Sequence, residues 1–367
     1  MKQKIFMLAH SSHTPFDTRI FLKEAITLSK NGYEVSIIIP GSRDEIVNGI
    51  SIQTVTLHKE GWKRLLIGPW LVFRKALQKT RASVLHIHDS QLLIIGIWLK
   101  LLGYKVIYDA HEDTPEQISY QHWIPTVLKK PYAWFYIALE KIAGWMFNGI
   151  IVAEPVIAKY FPKDKTVLIR NFPIVGSFNE GYNDYLNREK RLVHFGMLSE
   201  ARGVLMMAKA SAIAMQRCKF IFQLGGPFSP KELKNKIAEC QIEYRPWVAF
   251  DEIVKIMLNS RAGIVVPQPI ERYKTNYPVK LFEYMAAGLP VVASKYGELA
   301  AFVNEGRCGV LVDPENEQEV ADAIEFIFQN ETAAKEMGER GRALVFLKYS
   351  WEKEAETLLS FYQRLFN

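Results

Sequence analysis

The residues whose types and spacing best suit chemistry lie in one segment, NYPVKLFEYMAAGLPVVAS, from Asn276 to Ser294. Lys280 and Glu283 stand three apart on one face of what the pattern predicts to be a short helix, and Leu281 and Met285, four apart, make its apolar stripe. Thr275 or Asn276 can cap the start, Pro278 suits the first turn, and Gly288 stops the helix before a buried strand at Val291–Ala293. Such a helix aims its positive end, a cation and a carboxylate in one direction. Phosphate suits the first two and a sugar hydroxyl the third. The plainer reading of Lys280 and Glu283 is a solvated ion pair worth a few tenths of a kcal/mol, so the pair decides nothing alone.

Two further stretches have anion-binding character. His194-Phe195-Gly196-Met197-Leu198 ends one strand and Glu200-Ala201-Arg202-Gly203 opens the next helix, with Arg202 placed to hold a pyrophosphate bidentately or else to be a surface arginine near a turn. Leu224-Gly225-Gly226-Pro227 ends another strand with a backbone free to approach a ligand, or makes an ordinary tight turn. Other chemistries are missing. There is no GxGxxG after the first strand and no phosphate loop ending in Gly-Lys-Ser/Thr. No two aspartates are separated by one residue, which removes the usual metal clamp of a metal-dependent nucleotide-sugar enzyme. His86 and His88 lie on a predicted strand with no third ligand in evidence, and read as a packed or hydrogen-bonded pair. His111-Glu112 lacks the second histidine of HExxH. No metal and no cofactor are expected.

The elements that must position these residues alternate strand and helix in both halves. Lys4–Ala9, Glu34–Pro40, Val84–His88, Lys105–Asp109 and Gly149–Ala153 read as strands of the first half, with a helix from Asp17 or Thr18 to Asn31-Gly32. Arg191–Gly196, Lys219–Leu224, Ala262–Val266, Val291–Ala293 and Gly309–Val312 read as strands of the second. The expectation is an α/β protein of two Rossmann-like, doubly wound domains facing a central crevice, with ligands at the carboxyl ends of both sheets. The expected domains are 1–170, a linker at 171–190 rich in Asn, Gly, Pro and acids, and 191–348, with the apolar-faced helix 349–367 packing back on the first domain.

Composition narrows the function classes. The chain has 367 residues, 49% hydrophobic and 12% aromatic, enough for two buried cores. Its three cysteines lack metal-ligand spacing and read as buried thiols of a reducing compartment. The start has no signal-peptide pattern, and no uncharged apolar run reaches the roughly 20 residues of a membrane span. A cytoplasmic location is expected. The net charge of +7 favours anionic partners, but no nucleic-acid motif is visible. Basic and aromatic residues interleave at Trp62–Arg81 and Gln121–Trp145. That composition suits a helix on an anionic membrane surface, or equally an amphipathic helix covering the sheet.

With these residues assembled, the chain resembles the retaining glycosyltransferases of family 4, which have the GT-B fold. The likeness runs over nearly the whole chain. It is carried in order by GMLSEARG, QLGGP, PVKLFEYMAAGLPVVAS, GVLVDPENEQEVADAI and YSWEKEAETLL. In the first half, VLHIHDSQLL and VIYDAHED resemble the branch that makes bacterial surface polysaccharides. The resemblance implies a nucleoside-diphosphate-sugar donor, with Glu283 on its ribose, Arg202 on its diphosphate and Gly196 beneath it. Gly226, Lys280 and Leu281 join the donor site, and Phe250 lies in the segment beside the base. It implies that His111 approaches the donor sugar near the reaction centre and that the loop from His10 to Arg19, with Asp17 and Arg19, faces the acceptor. Two positions depart from the family pattern. Met197 stands where members often carry an arginine, which makes Lys280 the substitute cation. Thr275 stands where many carry a glutamate, which leaves the donor-sugar contact to Asn276 or to amides near Tyr277. The implied acceptor is lipid-linked, at the cytoplasmic membrane face. The alternatives are a nucleotide-sugar epimerase of the same fold, a non-catalytic nucleotide-sugar scaffold and a membrane-surface adaptor.

Overall fold

A computed structural model describes residues 2–10, 13–56, 61–79, 83–111, 113–120, 124–275 and 277–366, the side chains of 61–66, 117, 119 and 120 excepted. Asn276, Glu112 and Trp123 therefore lie outside the described residues, as do the side chains of Trp62, Lys63 and Arg64. The chain divides into two compact units, one of Met1–Asn171 with Lys353–Asn367 and the other of Phe172–Glu352.

Unit 1 is built on an eight-stranded sheet: β1 (Lys4–Leu8), β2 (Glu34–Pro40), β3 (Glu45–Val47), β4 (Ile50–Val55), β5 (Val84–Ile87), β6 (Lys105–Ala110), β7 (Gly149–Val152) and β8 (Thr166–Leu168). Its order is β3-β4-β2-β1-β5-β6-β7-β8, with every neighbour parallel except the β3–β4 hairpin. β5 and β7 are buried at every position, as strands covered by helices on both faces must be. The hairpin was not foreseen, although its signal is present. Asn48 and Gly49 both have positive φ, 53° and 77°, and pair Val47 with Ile50 across a two-residue turn.

Unit 2 carries a six-stranded parallel sheet of order β11-β10-β9-β12-β13-β14. Its strands are β9 (Arg191–Phe195), β10 (Ile221–Gly225), β11 (Ile242–Arg245), β12 (Ala262–Val265), β13 (Val291–Ser294) and β14 (Gly309–Val312). In both sheets the order reverses beside the first strand, the arrangement of a doubly wound fold. β8 and β11 are short and half-exposed, which hid them from a reading based on apolar runs.

Residues 171–190 are not the linker that composition suggested. Phe172, Val175, Phe178 and Tyr185 are buried, and the first three join the core formed by the Val279–Ala286 helix and β13. Glycine and acid content marked the segment as a loop, while four apolar anchors fasten it to unit 2. The last helix, Trp351–Phe366, contributes Lys353 onward to unit 1, where Tyr362 meets His86 of β5 at 2.8 Å.

Candidate functional site

In unit 2 the polar groups collect where β9 and β10 end. Gly196 follows β9, and its N–H donates to the Gly225 carbonyl at 2.8 Å. Leu198 N–H donates to Pro227 O at 2.9 Å, so the two strand-end loops run side by side. Their closeness requires glycine. A Cβ on Gly226, whose φ is +127°, would lie 2.0 Å from the Gly196 carbonyl oxygen. The Gly196–Gly203 loop then turns into the Val204–Met215 helix, with Gly203 as its N-terminal flank and Arg202 exposed just before it.

The predicted helix forms over Val279–Ala286, with Gly288 in the left-handed region just after it. Its cap differs from expectation. The N-cap residue is Pro278, no side chain caps the helix, and Thr275 is exposed. Lys280 Nζ donates to Glu283 Oε2 at 2.9 Å, and Glu283 is buried while Lys280 is partly exposed. Leu281 is a second correction. Its side chain is wholly buried in the core and its N–H donates to Pro278 O, so the helical period spends it on packing rather than on a ligand.

The cluster is tight. A Cβ placed on Gly196 would lie 3.2 Å from Lys280 Cε and 4.0 Å from Arg202 Nη1. His194, buried near the end of β9, donates its Nδ1–H to Ile264 O at 2.8 Å. Burial first, and then the charges of Lys280 and Arg202, push its pKa down to about 4. Two cations therefore approach the Gly196 backbone near a neutral imidazole, and a buried carboxylate stands on the helix that carries Lys280. A bare glycine backbone with two cations beside it suits a diphosphate. Val248 belongs to the same surroundings, with its Cγ2 3.5 Å from a Cβ built on Gly225. Phe250 is half-buried as the first residue of the Phe250–Leu258 helix and packs on the core. Met197 is exposed beside Gly196.

In unit 1 the polar groups sit at the carboxyl ends of β1, β5 and β6, and here Arg19 is corrected. Arg19 is buried, and its guanidinium is consumed by the protein. Nε and Nη2 donate to the two oxygens of Asp109 at 2.7 and 3.0 Å, and Nη1 donates to Ile169 O at 3.1 Å. A forked cation in a buried site stays where a carboxylate and a carbonyl satisfy it. Asp17 is likewise engaged, accepting from the N–H groups of Arg19 and Ile20 to cap the Thr18–Ala25 helical segment.

Glu24, His86, His88 and Asp109 have ligand-type atoms all within 4.8 Å of one another, the one such group among the described residues. The structure thus brings two carboxylates to the histidine pair that looked solitary in sequence. Arg19 enters the same group, with Nε 3.1 Å from Glu24 and 2.7 Å from Asp109, and provides the positive charge there. Burial and then Asp109 raise the Glu24 pKa well above the carboxylate range. Arg19 holds Asp109 well below it against the effect of burial. Burial keeps both histidines neutral.

His111 is partly exposed just after β6. Its Nδ1 is 3.3 Å from Asp109 O, and its ring stands edge-on to that of His13 at 5.3 Å. His13 was missed by sequence. It bridges Asp17 at 3.0 Å and Asp89 at 3.5 Å. Although burial opposes it, these two carboxylates raise its pKa to about 10, so His13 is a cation at neutral pH. The four-residue spacing of His13 and Asp17 was the available signal. Asp89 could be supplied only by the fold.

Comparison with known proteins identifies the class of the chain. A family model described as glycosyltransferase family 4 matches residues 19–172, and one described as glycosyl transferases group 1 matches residues 189–330. The chain is a glycosyltransferase. An uncharacterised glycosyltransferase of Methanocaldococcus jannaschii is 21% identical over 361 residues, covering 92% of this chain and 91% of the relative. A D-inositol 3-phosphate glycosyltransferase of an Arthrobacter species is 31% identical over 181 residues, which span 47% of this chain and 42% of that enzyme. Among solved structures, sucrose-phosphate synthase of Thermosynechococcus elongatus superposes with a TM-score of 0.76 at 17% identity, covering 100% of this chain and 99% of that one. Anabaena HepE in complex with UDP-glucose superposes at 0.72 and 15% identity, covering 98% of this chain and 99% of HepE. The glycosyltransferase thus has two parallel-sheet Rossmann-like domains, and its structural neighbours are GT-B glycosyltransferases.

Proposed function

We propose that this glycosyltransferase moves a sugar from a nucleoside diphosphate to an acceptor hydroxyl with retention of anomeric configuration and without a metal, in the manner of family 4. The observation that carries the reading is the approach of both Arg202 and Lys280 to the Gly196 backbone. A uridine diphosphate sugar is the donor class favoured, because HepE was solved with UDP-glucose. Glu283, buried one helical turn from Lys280, accepts hydrogen bonds from the donor ribose.

The bond between the anomeric carbon and the diphosphate oxygen breaks, and one to the acceptor oxygen forms on the same face. The acceptor proton passes to the departing diphosphate, so the products are a glycoside and a nucleoside diphosphate. The protein's work is to stabilise charge on the leaving group, which preorganised cations do best in a fixed site. His111 approaches the donor sugar near the reaction centre, and the His13–Asp17–Asp89 group belongs to the acceptor side of the reaction. A lipid-linked acceptor at the cytoplasmic membrane face, in surface-polysaccharide synthesis, fits the basic and aromatic helices of unit 1.

The test is incubation of the purified protein with a panel of nucleotide sugars, with and without lipid-linked acceptors. Acceptor-dependent release of nucleoside diphosphate is expected. Donor turnover indifferent to acceptor would indicate an epimerase instead, and binding with no turnover a scaffold.

A further inference from the structure

Three helices of unit 1 carry apolar side chains on their outward face as well as on their buried one. In the helix Thr126–Met146 the buried face carries Tyr136, Glu140, Ala143 and Gly144. The outward stripe at helical spacing carries Val127, Leu128, Trp134, Phe135, Ile142 and Trp145, with Trp134 71% and Trp145 77% exposed. A surface helix ordinarily carries charged and polar residues on that outer face. The neighbouring helix Leu93–Leu101 repeats the apolar stripe. Leu93, Ile95 and Leu99 are buried, while Ile94, Trp98 and Leu101 point outward, with Trp98 57% exposed. The helix Gly61–Leu77, packed beside that one, exposes Trp70 and Leu77. Scattered apolar residues on a surface need no explanation, but stripes on three adjacent helices do.

The charge on these helices selects the occupant. Arg74, Lys130 and Lys141 are exposed and Lys129 partly so, Lys75 and Lys100 are half-buried against Asp44 and Asn148, and the one acid in all three helical sequences, Glu140, is turned inward. Exposed Arg74, Lys130 and Lys141 beside the apolar stripes suit a bilayer with anionic headgroups, and tryptophan is the side chain that such an interface favours. We infer that the outward face of the helices 61–77, 93–101 and 126–146 is a docking surface for an anionic lipid bilayer, on which the protein lies without spanning it. No helix among the described residues is long and apolar enough to cross a membrane. The inference extends the lipid-linked acceptor reading above and rests on it for its purpose, though vesicle binding is measurable without any acceptor.

The experiment is flotation of the full-length protein with phosphatidylcholine vesicles, with or without phosphatidylglycerol, alongside transfer to a soluble acceptor analogue. Binding is expected only with the anionic lipid, and it should weaken as salt rises. Trp98→Ser combined with Trp134→Ser should abolish it, and Lys130→Ala and Lys141→Ala should each weaken it about fivefold. Melting temperature should hold in every variant, because these side chains lie outside the core. Failure to float with anionic vesicles, or equal binding to neutral ones, overturns the docking surface. Self-association removed by the tryptophan changes would overturn it too, in favour of a second copy as occupant. Transfer to the soluble analogue without vesicle binding sinks the surface and spares the glycosyl-transfer reading. Vesicle binding without any transfer does the opposite.

Discussion

Lys280→Met removes the charge and keeps most of the stem. If Lys280 is the second diphosphate cation, its loss should cost about 3 kcal/mol of transition-state stabilisation, a factor of about a hundred in kcat/KM. The Coulomb energy of two unit charges ~4 Å apart at an effective dielectric of about 20 is ~4 kcal/mol. Lys280 is partly exposed, so that value is a ceiling. Stability alone cannot discriminate, because Lys280 also pairs with the buried Glu283 at 2.9 Å, and unpairing a buried carboxylate costs stability whatever the cation does in turnover. A second change separates the two roles. Met197 is exposed beside Gly196, so Met197→Arg can supply a cation to the same place without touching Glu283. In the double variant turnover should recover while the melting temperature stays low. Acceptor-dependent release of nucleoside diphosphate, read alongside thermal melts, measures both. A folded Lys280→Met protein with near-wild-type kcat/KM would refute the reasoning.

Glu283→Gln should lower kcat/KM by about ten- to a hundredfold, the value of one charge-assisted hydrogen bond. The loss should sit mainly in donor KM, measured by donor titration at fixed acceptor. Gly226→Ala should destabilise by at least ~1–3 kcal/mol, since its backbone lies at φ +127° and the new Cβ meets the Gly196 carbonyl at 2.0 Å. A urea melt with an unchanged midpoint would contradict that. Glu140 is the pH test. Burial raises its pKa from 4.5 to about 7, so the folded state holds its proton more tightly and wild-type stability falls as pH rises from 4.5 through 7. Glu140→Gln should match wild type near pH 4 and exceed it by up to ~3 kcal/mol above pH 7, by calorimetry across that range.

Much of the local structure around the proposed donor site was legible because short-range rules decide it. A glycine stop, a three-residue cation–carboxylate spacing and a continuous apolar strand predict the Val279–Ala286 helix and β13 almost as they stand. Arg202 and Gly226 were found for the same reason, as special residues at strand ends. Leu281 was misassigned although its period already pointed inward. The Asn48-Gly49 turn was written in the sequence and passed over.

By itself, then, the sequence determined the alternation of strand and helix, the loops that could meet an anion and the surplus of positive charge, since each depends on neighbours within a few residues. Only the tertiary structure decided which charges are buried and paired within the fold. Arg19 looked free for an acceptor until Asp109, ninety residues away, took both ends of its fork. His13 became a cation because Asp89 came to it from another strand end. The apolar composition of three helices became a surface because packing turned Glu140 inward and the tryptophans outward. Burial and long-range pairing set the state of an ionisable group, and neither is a property of its immediate neighbours in the chain.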